Sequence, residues 1–160
     1  MTANKSISPF QIALIEPEIP PNTGNIARLC AATGTPLHLV GPLGFSIEDK
    51  HLKRAGLDYW DWVRLHRWES FAELKEAFPG ARYWLLSKKA ERPYTNVQFQ
   101  KGDFLVFGKE TFGLPEILLR DNPEFAIRIP MVNENVRSLN LSSSVAVVLY
   151  EALRQTGQLK

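Results

Sequence analysis

Apolar residues come along this chain in short unbroken runs, separated by stretches of helical period. Residues 10–15 read as a first strand. The next six, Glu16-Pro17-Glu18-Ile19-Pro20-Pro21, are predicted to be neither helix nor central strand, because proline lacks the backbone donor. Ile26, Leu29 and Cys30 then fall on one face of a short helix over 25–33, ended by Gly34. A second strand is expected at 36–40, closed by Gly41-Pro42 and Gly44. A polar helix follows over 48–55 and a short strand over 62–65. Helical period returns over 70–78, with Ser70 as N-cap and Pro79-Gly80 as the stop. Buried strands are expected at 83–86, 103–107 and 125–129, and a helix with proline in its first turn at 115–120. The last segment, 141–155, is apolar almost all round and is ended by Gly157. A helix without a solvated face must be covered on more than one side, and a second subunit is one such cover.

This alternation predicts an α/β fold, a mostly parallel sheet flanked by helices. Ligands of such sheets sit beyond the carboxyl ends of the strands, which directs attention to 17–28, 87–93, 108–115 and 130–140. In the first loop Asn22 and Gly24 suit a turn, Asn25 suits a helix cap, and Arg28 can point back to the loop mouth. A plain strand–turn–helix junction with a solvated arginine is the simpler description of that spacing. The second loop, Gly108 to Pro115, has two glycines spaced like a phosphate loop, yet Leu114-Pro115 stands where Lys-Ser/Thr is required. A dinucleotide GxGxxG is missing as well. What remains is either a loop whose backbone approaches a flat ligand, with Glu110 as its carboxylate, or an ordinary turn. In the third, Arg137-Ser138-Leu139-Asn140-Leu141-Ser142-Ser143-Ser144 gathers more polar groups at the start of the apolar helix than capping needs.

Composition narrows the chemistry. At 160 residues, 44% apolar and 22% charged, the chain has the make-up of one globular domain, 1–160 with a core over about 10–155. A net charge of +2 by itself implies neither nucleic acid nor membrane. The lone Cys30 excludes a disulfide framework or a cysteine zinc site, and His38, His51 and His66 are too scattered for a metalloprotease pair, so no metal is expected. No GxSxG elbow supports a nucleophilic serine, and Glu110, Glu116 and Glu124 lack evident carboxylate partners. Residues 1–9 lack the apolar core of a leader, and no run approaches the roughly 18 residues of a membrane helix, so a cytoplasmic location without membrane contact is expected. Two stretches mix cations with aromatics, as single-stranded RNA recognition requires. One holds Lys50, Lys53, Arg54, Arg64 and Arg67 among Tyr59, Trp60, Trp62 and Trp68; the other holds Lys88, Lys89 and Arg92 with Tyr94. A solvated face with core aromatics is the simpler description, above all for the tryptophans; Asp58 and Asp61 dilute the first stretch, which favours the second.

Together the loops resemble the SPOUT class of S-adenosylmethionine-dependent RNA methyltransferases, and most closely its small TrmL-like members. The carriers are the run from Glu16 through Asn22-Thr23-Gly24-Asn25-Ile26-Ala27-Arg28 to Cys30, Arg54-Ala55-Gly56-Leu57-Asp58-Tyr59, Phe107-Gly108-Lys109-Glu110-Thr111-Phe112-Gly113-Leu114-Pro115, Arg128-Ile129-Pro130-Met131 and Arg137-Ser138-Leu139-Asn140-Leu141-Ser142. The ending from Val147 to Gln155 is similar too, so the likeness runs in order from about 10 to 155.

The resemblance implies a carboxyl-terminal trefoil knot, an arrangement that topology rules otherwise treat as essentially absent, and a homodimer with each site near the subunit interface. It implies methylation of the ribose 2′-hydroxyl of the wobble nucleotide, cytidine or modified uridine at position 34, in the tRNA anticodon stem-loop. Carried over by position, Arg28, Asn22, Glu110, Ser138 and Asn140 are the catalytic set; Leu86, Gly108, Ile129, Met131, Ser138 and Leu139 contact S-adenosylmethionine; and Lys88, Lys89 and Arg92 contact RNA. Arg28 would stabilise the emerging alkoxide or accept the proton; a guanidinium stays protonated, which favours stabilisation. Phe112 stands where arginine is common in the family, and Ser143 where asparagine is frequent. The alternatives are the same chemistry at another tRNA or ribosomal RNA site, a non-catalytic RNA-binding protein of this fold, and an ordinary doubly wound nucleotide enzyme.

Overall fold

The computed structural model describes residues 8–159, and for 56–58 the backbone alone; most of the leaderless start expected at 1–9 lies outside that range. The strands are β1 (Gln11–Ile15), β2 (Leu37–Val40), β3 (Leu65–Trp68), β4 (Tyr83–Leu86), β5 (Phe104–Phe107) and β6 (Ala126–Ile127). They form one sheet in the order β3-β2-β1-β5-β4-β6, every pairing parallel. The helices are α1 (Pro20–Thr33), α2 (Lys50–Gly56), α3 (Phe71–Ala77), α4 (Glu116–Asp121) and α5 (Leu141–Gln155). No helix among the described residues is long and apolar enough to cross a membrane.

The unbroken apolar runs follow from cover on both faces of a parallel sheet. Successive strand residues alternate between two cores. Ile12, Leu14, Leu105 and Phe107 pack with Ile26 and Cys30 of α1 and Val145, Val148 and Leu149 of α5. Ala13, Ile15, Phe104 and Val106 pack on the other side with Leu74 of α3 and the partly buried Leu118 and Leu119 of α4.

Three expectations are corrected. Helix α1 starts at Pro20, not at Asn25, and takes in the Pro20-Pro21 pair assigned to non-helical chain. Proline at the first two helical positions sacrifices nothing, since those N–H groups have no partner within the helix. The third strand lies at Leu65–Trp68 rather than 62–65, because the segment Leu57–Trp62 winds into a 3-10 turn. As the sheet's edge, β3 keeps His66 and Arg67 exposed while pairing with β2. The last strand shrinks to Ala126–Ile127; Arg128 continues only as a bridge to Pro93. Ser70 does cap α3, accepting from Glu73 N at 3.1 Å.

Candidate active site

The carboxyl ends of β1 and β5 lie side by side, so the loops leaving them meet. Glu110, in the loop after β5, accepts from the backbone N–H groups of Glu18 (2.8 Å) and Ile19 (3.1 Å) and from Asn22 Nδ2 (3.1 Å). It thereby serves the amino end of α1, where Ile19 supplies no side-chain cap. Asn22 Oδ1 in turn accepts from Asn140 Nδ2 at 3.0 Å, and Asn140 Oδ1 caps α5 by accepting from Ser142 N at 2.8 Å. One chain of polar contacts therefore ties the first, second and third loops across 88 and 118 residues of sequence. A second tie runs the other way: Glu18 Oε1 accepts from Thr111 N (3.1 Å) and Oγ1 (2.8 Å). Those two bonds, the hydroxyl's above all, hold the Glu18 carboxyl below its usual pKa. Lys109 pairs with Glu16 at 3.0 Å, which raises the lysine's pKa.

The loop after β5 is folded tightly on itself. Gly113 N donates to Lys109 O at 2.8 Å, and Gly113 adopts φ +70°. A Cβ on Gly108 would sit 2.0 Å from Gly113 C, so only glycine fits there. The close approach that the sequence reserved for a ligand is made by the loop's own backbone.

Between the loops lies a cavity of about 610 Å³. All six residues expected at the cofactor, Leu86, Gly108, Ile129, Met131, Ser138 and Leu139, line it. So do Asn22, Glu110 and Asn140 of the expected catalytic set, and Lys88 and Lys89 of the expected RNA contacts. Two residues are not brought to it. Arg28 lies on the exposed side of α1, with its guanidinium 5.4 Å from the Tyr59 ring centre. Arg92 is exposed, and its carbonyl accepts from Arg128 N. Lys89 is ion-paired with Glu116, whereas Lys88 is exposed and forms no ion pair among the described residues. Arg137, quoted within the third motif but given no role, is also in the wall. An arginine beside Ser138-Leu139-Asn140 was the available signal.

Residues 9–150 match the model of the SpoU rRNA Methylase family. The chain belongs to that family. It is 55% identical over 148 residues to the tRNA (cytidine(34)-2′-O)-methyltransferase of Methylovorus glucosotrophus, covering 91% of this chain and 95% of that protein. The Saccharophagus degradans protein of the same name is 51% identical, with 92% and 96% covered. A solved structure concerned with 2-OH methylation of C/U34 on tRNA superposes with a TM-score of 0.88 at 47% identity, covering 94% of this chain and 97% of that one. At 22% identity, the SpoU methyltransferase AviRb of Streptomyces viridochromogenes, solved with AdoMet, shares the fold with a TM-score of 0.83; 93% of this chain and 61% of that one are covered.

The cavity of this SpoU methylase suits an amphipathic ligand of nucleoside size. Its wall sets apolar Leu86, Ile129, Met131 and Leu139 beside the hydroxyls of Ser87, Ser138 and Ser144. No cluster of three or more His, Cys, Asp or Glu that could hold a metal occurs among the described residues.

Proposed function

We propose that this chain transfers a methyl group from S-adenosylmethionine to the ribose 2′-hydroxyl of nucleotide 34 in the tRNA anticodon stem-loop, in the cytoplasm and as a homodimer. The observation that carries the reading is the convergence of three sequence-distant loops, tied by Glu110, Asn22 and Asn140, on one cavity of nucleoside size. The nearly full-length likeness to proteins named for cytidine 34 favours tRNA over a ribosomal site, despite the rRNA in the family's name.

Leu86, Ile129, Met131 and Leu139 would enclose the apolar parts of the cofactor, with Ser138 and the backbone around Gly108 offering polar contacts. The sulfonium supplies an electrophilic methyl, which is the difficult part of the chemistry. The protein's own task is to place the ribose oxygen and ease loss of its proton. The Asn22 and Asn140 amides are locked by their partners, so they present a fixed edge to the sugar. Arg28 would stabilise the alkoxide electrostatically as the 2′-oxygen loses its proton to water. Within one chain Arg28 lies outside the cavity wall, and we assign its delivery to the second subunit of the homodimer. Lys88 is the strongest candidate for the RNA backbone, ahead of the paired Lys89 and the more distant Arg92.

The trefoil knot belongs to the same proposal. After β6, at the far edge of the sheet, the chain returns past the other carboxyl-end loops, and α5 joins the core beside Ile12 and Phe107. Labelled methyl transfer to tRNA from cells lacking this activity, otherwise normally modified, with the product nucleotide mapped, tests the function. Label at nucleotide 34 is expected, and label elsewhere or none refutes the assignment. Arg28→Ala should abolish transfer while S-adenosylhomocysteine still binds in calorimetry; full turnover in that variant would remove Arg28 from the mechanism.

A further inference from the structure

Phe112 is 85% exposed, at the tip of the loop after β5. Slack in the chain does not account for this. On its amino side Glu110 makes three hydrogen bonds and Thr111 two. On its other side Gly113 is bonded back to Lys109 and packed on Gly108. A loop fixed this firmly holds a bare aromatic ring out in water. Single exposed apolar residues are ordinary on a protein surface; what sets Phe112 apart is that its loop is fixed on both sides and that the ring lines the main cavity.

The surroundings specify the contact. Phe112 lines both the main cavity and a smaller one of about 330 Å³. Lys88 and Arg137 share the wall of the larger cavity with it and form no ion pair among the described residues, whereas Lys89 and Lys109, common to both cavities, are paired with Glu116 and Glu16. Every titratable side chain in the main cavity wall other than Glu110 is a cation, and Glu110 is occupied by its three donors. A flat apolar face set among cations is the combination that binds an unpaired base and its phosphates.

We propose that Phe112 is a stacking platform for an unpaired nucleobase adjacent to the nucleotide in the cavity, and so helps to fix which nucleotide enters. This rests on the RNA-methylating reading above. The test uses an anticodon stem-loop RNA with cytidine at nucleotide 34 and 2-aminopurine on one or the other side of it, bound to wild type, Phe112→Leu and Phe112→Trp. Leucine keeps the apolar bulk but lacks the aromatic face. Wild type and Phe112→Trp are expected to quench the probe at one of the two positions. Phe112→Leu should lose that quenching and weaken RNA binding roughly tenfold, with S-adenosylhomocysteine affinity unchanged.

Equal RNA affinity and quenching in Phe112→Leu would overturn the proposal. So would a loss of S-adenosylhomocysteine affinity, which would make the ring a cofactor cover. A change of sedimentation in Phe112→Leu would do the same, by placing the ring between two copies of the chain. Methyl transfer is followed in parallel. RNA that is bound and stacked but not methylated at nucleotide 34 would sink the proposed function and leave the platform standing. Wild-type protein that binds no RNA would sink both.

Discussion

Asn22 is where the three loops meet, and its orientation is dictated by its neighbours. The Glu110 carboxylate can only accept, so Asn22 must turn its NH₂ toward it, which leaves Oδ1 to receive Asn140 Nδ2. Asn22→Asp is nearly isosteric but sets a second acceptor against Glu110 in a site that is 7% exposed. The expected cost is about 1–3 kcal/mol in urea unfolding at pH 7, together with weaker S-adenosylhomocysteine binding, because the cavity walls are held by the same contact. Unchanged stability would show the tie to be dispensable. At this scale the sequence was partly legible. Asn22, Glu110 and Asn140 are each legible as polar groups of separate loops, and Glu110 does reach the cavity wall, but what Glu110 bonds to is not legible. Its partners at Glu18, Ile19 and Asn22 lie about 90 residues away, and no local pattern reports a contact of that range.

Strand β2 shows what period and propensity miss within an element. His38 is fully buried in an otherwise apolar strand. Its Nδ1 accepts from Trp68 Nε1 at 2.9 Å and its Nε2 donates to Gln11 Oε1 at 2.6 Å, which fixes the neutral form. Burial, with the stacked His66 adding a smaller effect, lowers the pKa to about 3. The unfolded chain therefore binds this proton first on acidification. The stability that His38 confers is complete above pH 6.5 and is lost as the pH falls toward 3. Unfolding free energy should fall by about 1 kcal/mol per pH unit between pH 6.5 and 5.5, a window above the ordinary range of the carboxylates. His38→Gln should flatten that slope in denaturant titrations, and a slope that persists would locate it elsewhere. Elements buried on both faces, such as β4 and β5, were legible because both faces demand apolar residues. The edge strand β3 was displaced by three residues because an edge tolerates His66 and Arg67. The start of α1 was missed because proline at a first turn looks like proline in a loop.

At the scale of the whole molecule, α5 poses the remaining problem. Val145, Val148, Leu149, Ala152 and Leu153 are buried against the sheet and α1, yet Val147 is only half-buried and Tyr150 is 42% exposed. An apolar helix left open on one side, and an arginine that one chain leaves outside its own cavity, have a common solution in the homodimer proposed above. The consequence is quantitative. Arg28→Ala and Asn140→Ala chains should each be inactive alone. If Arg28 serves the partner's cavity, a heterodimer of the two contains one site in which both the arginine and the cavity are intact. Chains mixed in equal amounts and allowed to exchange should then recover about one quarter of wild-type methyl transfer, since about half the dimers are mixed and each has one working site of two. If Arg28 serves its own chain, both sites of every heterodimer lack one element and no activity returns. Recovery must also depend on the α5 face: adding Tyr150→Asp to both chains places a charge where the interface is expected and should abolish the complementation while shifting sedimentation toward the monomer. Complementation that survives Tyr150→Asp in dimers of unchanged size would keep the two-chain site but move its interface away from α5.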